Sequence, residues 1–161
     1  MVPQVEVWLQ VAPCQVPQIT TEDWQHWFQV WIGTLGITLS PIHQYELGLQ
    51  LIDDAGIQRL NAAYRHQDTA TDVLAFAALE AGLPPADLLR QEPLYLGDII
   101  ISLDTAACQA RAQGHSLTQE VLWLASHGLL HLLGWDHPND ERLIKMLEQQ
   151  EKLLVRIGWS G

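Results

Sequence analysis

Residues 126–137 read SHGLLHLLGWDH and hold three of the chain's seven histidines. His127 and His131 are four residues apart, so on a helix they share one face about one turn apart. Leucines fill most of the other positions, which predicts a largely buried helix. Gly134 stands where a helix can end in a left-handed cap, and a reversal there would bring His137 back toward the pair. The stretch predicts a helix, a sharp turn and three imidazoles that converge on one point.

Three neutral imidazole nitrogens suit zinc, which binds nitrogen at about 2.0–2.1 Å and keeps a fourth position for water in open sites. Two histidines four residues apart are weak evidence for a metal site, because hydrogen-bonded core histidines can have the same spacing. The full pattern H-x-x-x-H-x-x-G-x-x-H is far more specific. A closed structural site would need a fourth protein ligand, and Cys14 and Cys108 are far from each other in sequence. We therefore predict one zinc ion per chain in an open site, held by His127, His131 and His137.

Length and composition indicate one folded domain. With 161 residues, 48% hydrophobic and 17% charged, the chain is long enough to bury a core and too apolar to be disordered. Two distant cysteines give no disulfide framework and favour a reducing compartment. The N-terminus has neither a basic region nor a long apolar run, so we expect no signal peptide and no membrane span. The expectation is a single hydrolase domain over residues 1–161 in the cytoplasm.

The charge balance is strongly acidic. Eight lysines and arginines stand against nineteen aspartates and glutamates, a formal net charge of −11. Such a chain has no general electrostatic attraction to nucleic acid. A polyanionic substrate would have to be held by a few placed cations and the metal, or be delivered by a partner.

Hydrophobic periodicity predicts about four strands and five helices. Alternating apolar residues indicate strands at 4–11 and 45–53, and apolar runs indicate buried strands at 73–76 and 94–102. Residues 12–17 read as a connector and residues 78–93 as an exposed excursion. Capping residues or proline predict helix starts at Thr20 or Thr21, Asp53 or Asp54, Asp104 or Thr105, Ser116, and Pro138. The predicted fold is α+β (α/β-like), a mixed four-stranded sheet packed with helices that include a zincin-like metal helix.

Four of the seven tryptophans lie at positions 8, 24, 27 and 31. A tryptophan stripe can stack RNA bases, but aromatic residues at helical spacing more often form core. We predict a core role for the aromatic face of the first helix.

A zinc ion held by three neutral imidazoles lowers the pKa of a bound water to about 7 from about 15.7, which favours hydrolysis of an acyl or phosphoryl centre. The histidine spacing is similar to that of the metzincin peptidases, which place a glutamate directly after the first histidine as general base. Here that position is Gly128, and losing a general base typically costs about 10²–10⁴-fold in rate. A zinc peptidase is therefore disfavoured but stays an alternative.

Three ordered blocks carry a resemblance to a known family. Residues 127–137, H-G-x-L-H-L-x-G-W-D-H, resemble the signature of the YbeY family, bacterial endoribonucleases of ribosomal RNA maturation. Residues 61–76, N-x-x-Y-R-x-x-D-x-x-T-D-V-L-x-F, and residues 96–99, L-G-D-I, resemble its other two motifs. The departures are Trp135, where the family usually has tyrosine, and alanines at positions 70, 75 and 77 in place of proline, serine and proline.

The resemblance implies a zinc-dependent, single-strand-specific endoribonuclease that acts in 16S rRNA 3′-end maturation and ribosome quality control. It also implies His127, His131 and His137 as zinc ligands and Arg65 as the important basic residue of the site. A small ribosomal subunit protein and an Era-type GTPase are the implied protein partners, and single-stranded rRNA is the implied substrate.

Arg65 and Asp136 complete the candidate catalytic set with His127. A guanidinium can grip a phosphate through two parallel hydrogen bonds, but an ordinary surface arginine paired to Asp68 or Asp72 has the same spacing. Asp136 can orient an imidazole, act as a base, or simply occupy a turn.

The acidic balance predicts weak activity on naked RNA. Beside the endoribonuclease and the zinc peptidase, a non-catalytic, zinc-stabilised ribosome assembly factor is the third functional hypothesis. Both a zinc-activated water and a ribose 2′-hydroxyl stay open as nucleophile.

Overall fold

The computed structural model of the chain describes residues 2–11 and 19–159. These residues form four strands and six α-helices, so the predicted α+β class is confirmed. The strands are β1 (Gln4–Val11), β2 (Gln44–Ile52), β3 (Val73–Ala77) and β4 (Leu94–Ser102). The helices are α1 (Thr21–Thr34), α2 (Asp54–Arg65), α3 (Ala86–Gln91), α4 (Leu103–Gln113), α5 (Leu117–Leu132) and α6 (Asp140–Arg156). No helix in this part of the chain combines the length and the apolarity needed to cross a bilayer.

The strands form one mixed sheet in the order β1-β2-β4-β3. β1 pairs with β2 and β2 with β4 in parallel, whereas β3 pairs with β4 antiparallel. Alternate residues of β2 (Tyr45, Leu47, Leu49 and Leu51) are buried, as the period of two predicts. On that face α1 packs against β1, α5 packs across β3 and β4, and α6 packs on α5. On the other face, Ile57 of α2 clusters with Leu74 and Ile100.

The aromatic face of α1 is core, as predicted. Trp24, Phe28 and Trp31 have no exposed surface, and the Trp31 indole Nε1 donates to the Leu153 carbonyl of α6 at 2.8 Å. The helix begins with a capping box in which Thr20 and its third neighbour exchange side-chain-to-backbone hydrogen bonds. This aromatic face buries apolar area against the sheet and is not available for stacking RNA bases.

The excursion at residues 78–93 contains more regular structure than predicted. A 3₁₀ turn spans Ala78–Ala81 and α3 follows, and neither contains a buried residue. A six-residue helix without a buried face shows no apolar period, so the sequence pattern missed it. The prediction of an exposed segment there is confirmed.

Two predicted helix starts are displaced. α4 begins at Leu103, with Ser102 as N-cap in place of Asp104 or Thr105. α6 begins at Asp140, since Asn139 accepts a hydrogen bond from the Arg142 amide at 2.9 Å and caps the helix beyond Pro138. The predicted connector at residues 12–17, with Cys14, lies outside the described residues.

Asp54 ties the start of α2 to the start of α4. Its carboxylate accepts hydrogen bonds from the Ser102 hydroxyl at 2.5 Å and from the Thr105 hydroxyl at 2.6 Å. The Ser102 bond first, and then the Thr105 bond, hold the pKa of the Asp54 carboxyl below its usual range. This link fixes the helix that ends at Arg65.

We expect Asp54→Asn to lower the free energy of unfolding at pH 7 by about 0.5–1 kcal/mol, because a solvent-accessible carboxylate loses part of its hydrogen-bond strength to water. The native pKa lies below the unfolded value of about 3.9, so the contribution is complete above about pH 4 and is lost as pH falls through the native pKa. Urea unfolding at pH 7 and pH 3 measures it. An equal difference between the two proteins at both pH values would contradict this account.

Candidate metal centre

α5 presents two histidines from an otherwise buried helix. Ser116 caps its start by accepting from the Gln119 amide at 3.1 Å, as the predicted capping motif requires. Its buried residues include Val121, Leu122, Leu124, Ala125, Leu129, Leu130 and Leu132. His127 and His131 are half-buried on the face that lines a cavity shared with Arg65 and Asp136.

The glycine reversal predicted at the end of α5 is confirmed. Gly134 has a φ of +96°, and its amide donates to the His131 carbonyl at 3.1 Å. The Trp135 amide donates to the Leu130 carbonyl at 2.9 Å. These two bonds form a Schellman motif, in which a left-handed glycine satisfies the last helical carbonyls. The motif turns the chain so that His137 returns to the side of α5 that carries the other two histidines.

The structure brings the three imidazoles together. One ring nitrogen from each of His127, His131 and His137 lies within 4.8 Å of the other two. The Nε2 atoms of His127 and His131 are 2.9 Å apart. The ring centroid of His137 lies 5.9 Å from the ring centroid of His127 and 5.7 Å from that of His131. Two nitrogens bound to one tetrahedral zinc ion are about 3.3 Å apart, which lies between the 2.9 Å of the closest pair and the 4.8 Å limit of the cluster.

Burial favours the uncharged form that binds metals. Removal from water lowers the pKa of His127. It also lowers the pKa of His131, and the neighbouring imidazoles of His127 and His137 lower it further. Neutral imidazoles donate a lone pair without competition from a proton. In the described part of the chain, no cysteine or carboxylate joins the three as a fourth ligand, so the donor set fits an open divalent site.

A cavity of about 670 Å³ lies beside the histidines. Its polar lining includes Arg65 from the end of α2, His127 and His131 from α5, and Asp136 from the turn that follows α5. Three separate segments of the chain thus bring the candidate catalytic residues to one place.

Arg65 is held by two contacts that leave most of its guanidinium free. Its Nη2 donates to the Ala75 carbonyl at 2.7 Å, and its Cζ lies 5.1 Å from the centroid of the Phe76 ring. Among the described residues Arg65 forms no ion pair, and neither Asp68 nor Asp72 contacts it as the surface-arginine alternative requires. An arginine has five N–H donors, so several remain for a ligand in the cavity.

Asp136 lines the cavity but does not hydrogen-bond to an imidazole in the structure. Its carboxylate is exposed and pairs with Arg142 of α6 at 3.3 Å. An exposed pair of this kind is weak, typically about 0–1 kcal/mol. Of the roles considered for Asp136, the orientation of a histidine therefore has no supporting contact, and the role of a base stays open.

Gln150 is a residue of this site that the sequence did not reveal. Its Oε1 lies 3.1 Å from Nδ1 of His127, and the side chain is completely buried. The available signal was its position: it stands on the apolar stripe of α6, four residues from both Met146 and Leu154. An amide at such a position needs a buried hydrogen-bond partner.

Gly128 packs against the sheet with no room for a side chain. A Cβ there would lie 2.7 Å from Cγ2 and 3.1 Å from Cγ1 of Ile99 on β4. A glutamate there, as in peptidases with this histidine spacing, would require Ile99 or α5 to shift. Close helix-to-sheet packing therefore disfavours a general base at this position.

The family model described as Endoribonuclease YbeY matches residues 13–158 of the chain. The chain belongs to the YbeY endoribonuclease family. The resemblance noted in the three sequence motifs is thereby confirmed, as is the assignment to the endoribonucleases.

Curated relatives agree with the YbeY family model. The chain is 59% identical over 140 residues to Endoribonuclease YbeY of Acaryochloris marina, covering 87% of this chain and 80% of that protein. It is 52% identical over 159 residues to the protein of the same name from Cyanothece sp., covering 96% and 94%. The fold is similar to the solution structure of TM1509 from Thermotoga maritima, with a TM-score of 0.57 and 22% identity over 94% of this chain and 88% of that one.

We expect the chain to bind one equivalent of zinc and His131→Ala to lose tight binding. At a zinc concentration about 100 times the dissociation constant, the bound ion should raise the free energy of unfolding by about 2.7 kcal/mol in the wild type. His26→Ala, an exposed histidine on α1, is the matched control and should behave as wild type. Zinc content after dialysis and urea unfolding with and without zinc measure both effects. Equal zinc affinity of His131→Ala and wild type would contradict the three-histidine site.

We expect Gly128→Ala to lower the free energy of unfolding by about 1 kcal/mol. Overpacking against Ile99 costs about 1–3 kcal/mol, which exceeds the gain of roughly 1 kcal/mol in helix propensity. Gly33→Ala in α1 is the control, because the nearest atom to its Cβ would be Pro3 Cδ at 3.7 Å, and it should stabilise the chain. Denaturant unfolding compares them. A stabilised Gly128→Ala would show that α5 does not press on β4 as described.

Proposed function

We propose that the chain is a zinc-dependent endoribonuclease that cleaves single-stranded rRNA in 16S 3′-end maturation and contributes to ribosome quality control. The observation that carries the proposal is one cavity lined by Arg65 and by two members of the histidine cluster, His127 and His131. Membership in the YbeY endoribonuclease family supports the reaction class. The proposal treats residues 1–161 as one hydrolase domain.

The proposed metal ligands are His127, His131 and His137. When bound, a divalent ion there supplies Lewis acidity and lowers the pKa of a coordinated water. The protein's own part is to lower the pKa of His127 and His131 by burial, which favours the neutral imidazoles that leave the ion its full charge. His127 is also among the proposed catalytic residues, as a metal ligand that lines the cavity together with Arg65.

Arg65 is the proposed phosphate-binding residue. The Ala75 carbonyl and the Phe76 ring fix its guanidinium, which reduces the conformational entropy lost when it binds a substrate oxygen. Its remaining N–H groups can donate to the scissile phosphate and stabilise charge that develops in the transition state. We assign Asp136 the role of proton acceptor, since its carboxylate lines the cavity and its pairing with Arg142 is weak.

The charge distribution supports delivery of the RNA by a partner. Among the described residues that line the cavity, Arg65 is the one lysine or arginine, in a chain of net charge −11. We therefore propose weak cleavage of naked RNA and recruitment through a small ribosomal subunit protein and an Era-type GTPase. Because bacterial ribosomes assemble in the cytoplasm, the proposal places the chain there.

The observations bear differently on the two alternative functions, a zinc peptidase and a non-catalytic assembly factor. A zinc peptidase is disfavoured because the general-base position is the closely packed Gly128. A non-catalytic assembly factor is favoured by the acidic charge alone, since such a factor would need protein partners rather than direct RNA contacts.

We expect Arg65→Ala to lower the rate of single-stranded RNA cleavage by about 10²–10³-fold while zinc content stays at the wild-type level. The cleavage rate of Arg65→Lys should lie between those of the wild type and Arg65→Ala, because lysine keeps the charge but not the bidentate geometry. His127→Ala should lose both cleavage and tightly bound zinc. Arg59→Ala is the matched control, an exposed arginine on the same helix outside the cavity, and should cleave at the wild-type rate.

The substrates are a single-stranded oligonucleotide, the same sequence in a duplex, and small ribosomal subunits that carry unprocessed rRNA. Wild-type cleavage of Arg65→Ala would remove Arg65 from the proposed mechanism. Zinc-loaded wild-type protein that cleaves none of the three, while it still restores ribosome assembly in a deletion strain, would favour the assembly-factor alternative.

A further inference from the structure

The side-chain amide of Gln150 lies between α6 and the histidine pair of α5. It has no exposed surface. Its Oε1 lies 3.1 Å from Nδ1 of His127, and its Nε2 donates to the Trp123 carbonyl at 3.3 Å. Both partners belong to α5, one helical turn apart, so a single side chain of α6 spans the turn that carries the first histidine.

The Trp123 carbonyl fixes which way the amide points. A carbonyl oxygen only accepts hydrogen bonds, so the NH₂ group of Gln150 must face it and Oε1 must face His127. The same carbonyl accepts from the Ser126 hydroxyl at 2.7 Å, which leaves that serine unavailable to a histidine. The amide orientation thus follows from bonding partners.

The orientation of the amide determines the tautomer of His127. Because Oε1 can only accept, Nδ1 of the imidazole must carry the hydrogen and donate it. A neutral imidazole protonated on Nδ1 has its lone pair on Nε2. That Nε2 atom lies 2.9 Å from Nε2 of His131 and is directed into the histidine cluster.

We propose that Gln150 is a positioning residue that holds His127 as the Nδ1–H tautomer, with the Nε2 lone pair turned toward the ion bound by the three histidines. It acts through His127 and touches neither the ion nor the substrate. The inference rests on the metal centre of the proposed function. Partners of this kind typically change metal affinity by about 10–100-fold when removed.

The variants for the test are Gln150→Met, Gln150→Glu and Met146→Ala. Methionine has a similar length and no strong acceptor for Nδ1–H, so it removes the hydrogen bond. Glutamate retains a carbonyl-type acceptor at the same position and should rescue the tautomer. Met146 is buried on the same face of α6 without a hydrogen bond to His127, so Met146→Ala is a control for destabilised packing.

Long-range ¹H–¹⁵N correlation spectra of the zinc-free, ¹⁵N-histidine-labelled chain at pH 8 report the tautomer of His127. Competition with a chelator gives the zinc dissociation constant. The wild type should show one Nδ1–H tautomer. Gln150→Met should show a mixture of tautomers and a dissociation constant raised about 10–100-fold. Gln150→Glu and Met146→Ala should keep the wild-type tautomer and bind zinc within a few-fold of wild type.

An unchanged tautomer and zinc affinity in Gln150→Met would overturn the inference while the metal centre stands. If Gln150→Met does not fold, loss of the Nδ1–H tautomer in Gln150→Glu has the same consequence. A wild-type chain that binds no zinc overturns the proposed metal centre and the inference with it. Because no RNA is used, these results do not depend on whether the chain cleaves RNA.

Discussion

The close approach of α5 to the sheet is the constraint on which the site depends. Gly128 lies directly on Ile99, and a Cβ on Gly97, whose φ is +131°, would lie 2.1 Å from the Phe76 carbonyl and 2.9 Å from Leu132 of α5. Two glycines, one on each layer, therefore set the distance between helix and strand. With that face of the helix fixed, the face that carries His127 and His131 is fixed as well, because residues on a helix cannot rotate independently.

The metal centre needs neutral imidazoles, which many environments provide, and a convergent third imidazole, which depends on one specific turn. Burial lowers the pKa of His127 and His131 without any specific partner, and many apolar surroundings would do the same. Convergence of the third imidazole depends on one left-handed glycine, Gly134, and its two backbone hydrogen bonds. The end of α2 contributes Arg65 to the same cavity, anchored through the Ala75 carbonyl of β3. Among the described residues, positive charge at the cavity is thus restricted to one placed guanidinium, together with the proposed ion.

The spacing of residues in the sequence predicted those features that depend on interactions between near neighbours along the chain. The strands, the buried α5, the reversal at Gly134 and the cluster of histidines follow from periods of two and 3.6 and from one glycine. Spacing did not reveal Gln150, which meets His127 from 23 residues away. Nor did it give the partners of Arg65 and Asp136, because both depend on how separate elements pack. The short α3 was missed since it has no buried face.

We propose, as the basis of the site, that three imidazoles hold one divalent ion and leave it open to solvent. X-ray absorption spectroscopy at the zinc edge of the zinc-loaded chain tests this claim most directly. The account predicts three imidazole nitrogens at about 2.0–2.1 Å and one oxygen from solvent in the fourth position. A fourth ligand from the protein, or fewer than three imidazoles around the ion, would contradict it.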